Sequence, residues 1–122
     1  MMERQIIKLL LIGLVGITGC YYDSEERLYP TTECKTANMS FQTNIVPILE
    51  QNCYGCHSAA VNTANVSLEG YNNVLQYVNN GKLLGVIRHS AGYKPMPQNA
   101  PQLASCDIAR IEQWIVDGIP NN

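Results

Sequence analysis

The string Cys53-Tyr54-Gly55-Cys56-His57 constrains this chain more than any other feature. Two thiols three residues apart, on a turn leaving a helix, can each add to one vinyl group of a haem. A histidine that follows at once then lies beneath the iron. From this composition such a string arises by chance in about three of a thousand chains, so the spacing asks for a chemical reason. Three other chemistries use the same residues. A thioredoxin-type dithiol expects a βαβ surrounding, and no such pattern is present here. A disulfide between Cys53 and Cys56 would be strained and would close almost no loop. A zinc site could draw on Cys53, Cys56, Cys34, Cys106 or the two histidines, His57 and His89, yet no second pair sits at zinc-ligand spacing. The string therefore predicts one covalently bound haem, held by Cys53 and Cys56, with His57 as the proximal iron ligand.

The start of the chain carries an address. Arg4 and Lys8 precede residues 9–17, an uninterrupted run of apolar residues and glycine. A basic start before a short apolar core is the pattern of a secretory signal, and the run is less than half of what a membrane-spanning helix needs. It ends in Ile17-Thr18-Gly19-Cys20, which resembles the lipobox of bacterial lipoproteins. That resemblance implies cleavage after residue 19 and acylation of Cys20. The alternative is a plain secretory signal with an incidental cysteine. Several acyl chains anchor stably, because each buried CH₂ contributes roughly 0.8 kcal/mol. Residues 20–37 read as a flexible tether, acidic at Asp23, Glu25, Glu26 and Glu33, broken at Pro30 and without helical or strand periodicity. The expected location is extracytoplasmic, lipid-anchored to a bacterial membrane through Cys20. Haem attachment to such motifs takes place outside the cytoplasm as well.

With residues 1–19 set aside, 103 of the 122 residues remain, room for one small domain. The full chain carries a net charge of −2, and losing Glu3, Arg4 and Lys8 (together +1) leaves −3. This mild acidity leaves no clustered cationic footprint for nucleic acid.

The patterns in residues 38–122 are helical throughout. Asn44 is placed to cap a helix over residues 44–52, with Pro47 in its first turn, where the missing N–H costs nothing, and Phe41 extends the segment backward at a kink. Tyr71, Val74, Leu75 and Val78 recur on one face of a second helix, which Gly81 stops. Residues 83–88 form a shorter helical piece. Residues 91–101 hold Gly92, Pro95, Pro97 and Pro101 and must be loop. Ser105 is placed to cap a last helix with Ile108, Ile111 and Ile115 on one stripe, Trp114 beside it and Asp107 in its first turn; Gly118 and Pro120 end it. The expected fold class is all-α, with three to five short helices and long loops.

On these residues the chain resembles a known family, the small single-haem cytochromes c of the class I kind. The resemblance covers about residues 38–119 and rests on Ile45-Val46-Pro47-Ile48-Leu49, on Cys53-Tyr54-Gly55-Cys56-His57-Ser58, on Tyr93-Lys94-Pro95-Met96-Pro97, and on Ile111 with Trp114. It implies a small cytochrome c fold around one haem c, with the 44–52 and 105–117 helices in contact. It also implies that Met96, 39 residues beyond His57, is the distal iron ligand. Pro95 and Pro97 stiffen its loop, and a thioether ligand favours ferrous iron and raises the potential. His89 is the rival, giving a bis-His iron; a haem propionate or solvent would otherwise claim it. Arg88, Tyr93 and Lys94 could meet propionates or serve the surface, and Met39 reads as packing. If the first and last helices pack as the family implies, Cys34 and Cys106 approach each other, and an oxidising compartment would join them. Two free thiols are the alternative.

The resemblance implies a one-electron carrier, not an enzyme, working between redox partner proteins. Two alternatives stay open. One is a haem domain with a labile Met96 that binds small ligands as a sensor. The other is a structural haem subunit of a larger respiratory complex.

Overall fold

The computed structural model describes residues 33–122. The signal segment 1–19, the lipidation site Cys20 and the tether up to residue 32 lie outside the described residues. The described part is all-helical: a π-helical turn Phe41–Ile45, then α1 Val46–Asn52, α2 Tyr54–His57, a 3₁₀ turn Thr63–Asn65, α3 Tyr71–Asn79, α4 Lys82–Ile87 and α5 Ser105–Val116. Among the described residues none of these helices is long and apolar enough to cross a membrane.

The first helical segment begins earlier than its sequence suggests. Ser40, not Asn44, caps it: Ser40 Oγ accepts from the Thr43 amide at 3.3 Å. Asn44 Oδ1 returns the favour by accepting from the Ser40 amide at 2.8 Å, a reciprocal pair that satisfies two otherwise orphaned donors. Asn122 supplies partners for two more. The Gln42 amide donates to its carbonyl at 3.0 Å and the Phe41 amide to its side chain at 3.2 Å. The π-helical widening has a local cause. Pro47 stands in the first turn of α1, with no N–H to give, and its ring would crowd the carbonyl four residues back in a regular helix.

Phe41, Ile45, Leu49, Val74, Ile111 and Trp114 are the fully buried centre of the domain. Phe41 stacks at a tilt on Trp114, ring centroids 5.5 Å apart, and makes a T-shaped pair with Tyr71 at 5.2 Å. The contact expected between the first and last helices is thus made through the π-helical turn, with Phe41 as its main element. Met39 is buried in the same core.

The last helix also starts without the expected cap. Ser105 is its first helical residue, and Ala104 before it offers no side-chain acceptor. Other ties fix this end: Cys106 is joined to Cys34 as a disulfide with Cα atoms 5.4 Å apart, Leu103 is buried, and Asp107 meets the positive end of the helix. Cys34, and Lys35 whose carbonyl accepts from Arg110 Nε at 3.4 Å, are therefore held to α5. The chain joins the folded domain by Cys34, before residue 38. At the other end of α5, Gly118 takes φ 92°, which lets its amide reach Ile115 and the Ile119 amide reach Trp114, a Schellman closure.

Candidate haem site

The paired cysteines sit where α1 gives way to α2. The Cys53 amide still bonds back to Leu49 at 2.8 Å, then the backbone leaves regular helix at Cys53, with φ −126°. A new turn starts at once, with Cys56 and His57 amides both donating to the Cys53 carbonyl at 3.1 and 2.8 Å. Both thiols are free. Cys53 is half-buried and packs against the core, and this burial pushes its thiol up to about 11; Cys56 is exposed.

His57 is held in one orientation. Its Nδ1 lies 3.2 Å from the carbonyl oxygen of Val66, and since a carbonyl only accepts, Nδ1 must carry the proton. In the neutral ring Nε2 then keeps the lone pair that a metal ligand needs. The loop that brings Val66 round is itself tied to this turn, because the Leu68 amide donates to the His57 carbonyl at 2.7 Å.

His57 lines two cavities that share it, Ile87 and Met96. One, of about 180 Å³, is walled by Val66, Leu68, Tyr77, Leu83 and Val86 and is almost wholly apolar, with Lys82 as its one charged side chain. The other, of about 280 Å³, runs past Cys53, Cys56, Lys94 and Pro97. A group with an apolar body, held by both thiols and within the space that His57 and Met96 both line, suits this set of residues. A haem has those properties. A further hollow, of about 610 Å³, is open and polar and shares no residue with the motif. Among the described residues no three His, Cys, Asp or Glu side chains gather as a candidate metal cage. A haem iron asks less of the protein, because four of its ligands come from the macrocycle.

The other residues singled out from sequence are distributed as follows. Met96 lines both cavities and its amide donates to the Val86 carbonyl at 3.0 Å. His89 does not line either cavity; its Nε2 lies 3.1 Å from the Met96 carbonyl. Arg88 is paired with Glu112 of α5, Nη2 to Oε1 2.6 Å, on the surface. Tyr93 lies across Gly85: a Cβ there would come within 2.6 Å of its ring, so only glycine admits this approach. Of Arg88, Tyr93 and Lys94, only Lys94 lines either of these cavities. Sequence reasoning missed Val66 and Lys82. Val66 acts through its carbonyl, which carries no side-chain signal.

No protein family model, no curated protein and no solved structure matches this chain.

Proposed function

We propose that this domain is a c-type cytochrome and a one-electron carrier rather than an enzyme. Cys53 and Cys56 would hold one haem c covalently, with His57 as proximal and Met96 as distal iron ligand. Bound there, haem supplies a reversible ferric–ferrous couple. The chain's own residues do the rest. The Val66 carbonyl keeps the His57 proton on Nδ1, Leu68, Leu83, Val86 and Ile87 exclude water, and Met96 offers a thioether that favours the ferrous state. Redox partner proteins would reach the edge where Cys56 is exposed, and Cys20 would anchor the chain to the membrane.

One observation carries the reading: a histidine with Nδ1 already engaged and Met96 border the same two cavities, and the free thiol pair lines one of them. Redox titration of the haem-loaded chain, followed by its visible spectrum, tests it. The account expects a low-spin haem with the weak near-red charge-transfer band of ferric His/Met ligation. Met96→Ala should remove that band, move the iron toward high spin, lower the potential and admit CO. A wild-type haem that is high-spin and binds CO readily would replace the carrier with a ligand sensor.

A further inference from the structure

Both polar groups of the Met96 main chain are held by one short piece of structure, the C-terminal end of α4. The Met96 amide donates to Val86 and the Met96 carbonyl accepts from His89 Nε2 at 3.1 Å. His89 is also the residue that ends the helix. Its amide reaches Val86 at 3.3 Å and the Ser90 amide reaches Gly85 at 2.9 Å, the two bonds of a Schellman closure, with His89 at the left-handed position, φ 51°. That position is ordinarily glycine's, because a Cβ there crowds the neighbouring carbonyl. The chain places a histidine where the turn by itself would favour glycine, and the side chain so placed bonds the backbone of Met96.

We infer that His89 is a positioning residue for the distal ligand: it fixes the Met96 loop against α4 and so sets how firmly the thioether holds the sixth position. The inference rests on the proposed His57/Met96 ligation and assigns His89 a role other than iron ligand. Tyr93, lying on Gly85, presses the same loop onto the same helix, so His89 closes the far end of a strap already fixed at its start.

Two substitutions separate holding from turning. His89→Gly keeps the left-handed turn at ease and removes the donor; His89→Gln keeps a donor of similar reach on a residue that the turn disfavours. Both are compared with wild type as full, haem-loaded chains, by near-red absorbance, by the rate of CO binding to the ferrous form and by thermal unfolding. His89→Gly should unfold no earlier than wild type, yet show a weakened near-red band and CO binding faster by roughly fivefold to tenfold, the share of one net hydrogen bond. His89→Gln should keep the band and unfold earlier than His89→Gly. If His89→Gly keeps band and rate unchanged, the positioning role is overturned and Met96 ligation stands. If wild type itself lacks the band, and His89→Gly rather than Met96→Ala alters the spectrum, His89 is a ligand and both readings fall.

Discussion

The Cys56 amide donates to the Cys53 carbonyl at 3.1 Å, so the two thiols leave a single turn, one half-buried and the other exposed. Their reactivities should differ in the haem-free chain. Burial pushes the Cys53 thiol up to about 11. Since the thiolate is the nucleophile, Cys53 should alkylate at pH 8 more slowly than Cys56 by about one to two orders of magnitude. Time-resolved mass mapping of the two modified peptides checks this. Equal rates would mean that Cys53 is not shielded as described.

The disulfide between Cys34 and Cys106 spans 72 residues of sequence. In the chain-entropy picture, closing such a loop stabilises by about 4 kcal/mol. Cys34→Ser with Cys106→Ser should therefore lower the denaturant midpoint strongly. The visible spectrum of the folded haem-loaded protein should not change, since neither residue lines the His57 cavities.

Trp114 is fully buried against Phe41, and its Nε1 donates to the Pro120 carbonyl at 3.0 Å. Trp114→Ala should cost about 3–5 kcal/mol, the range for a large aromatic removed from a packed core. Trp114→Phe loses the hydrogen bond and less volume and should cost about 1–2 kcal/mol. Urea unfolding of the two variants measures the difference. A Trp114→Ala variant as stable as wild type would contradict the packing of the first segment on α5.

How much of this was legible in the sequence differs from residue to residue. The apolar spacing of Tyr71, Val74 and Val78 and of Ile108, Ile111 and Ile115 is helical, and the helices stand there, because burial of one face repeats in the sequence at the period of the backbone; in the last helix it is Trp114, read as lying beside the stripe, that is fully buried, and Ile115 only partly so. Gly81 and Gly118 mark helix ends, since the left-handed turn favours one residue type. The caps read less well. Asn44 and Ser105 are good capping types, but Ser40 and Asn122 settle the first end and the tie to Cys34 helps to settle the other. The Asn122 and Cys34 ties join residues far apart in the chain, and the Ser40 cap is local but lies four residues before the cap that Asn44 suggests. The site divides in the same way. Cys53, Cys56 and His57 are legible as a local string. The Val66 carbonyl on His57 and the Met96 carbonyl on His89 are backbone acceptors, and any residue has one.

Anchoring is tested apart from the fold. Cys20→Ser should accumulate as uncut precursor or appear as soluble protein, because acylation needs the thiol. Fractionation of cells followed by mass analysis of the product reads this directly. A Cys20→Ser product that is correctly cleaved and still bound to the membrane would contradict lipidation at this cysteine.

Covalent attachment of haem at Cys53 and Cys56 is read from the intact mass of the chain under denaturing conditions. Thioether bonds survive unfolding, whereas a haem held only by His57 and Met96 is released. The wild-type mass should be raised by one haem that persists in denaturant and maps to the peptide holding Cys53 and Cys56, and the Cys53→Ala, Cys56→Ala double variant should lack it. A wild-type chain, expressed with haem-attachment machinery, that loses all its haem on denaturation would rule out thioether attachment at these cysteines.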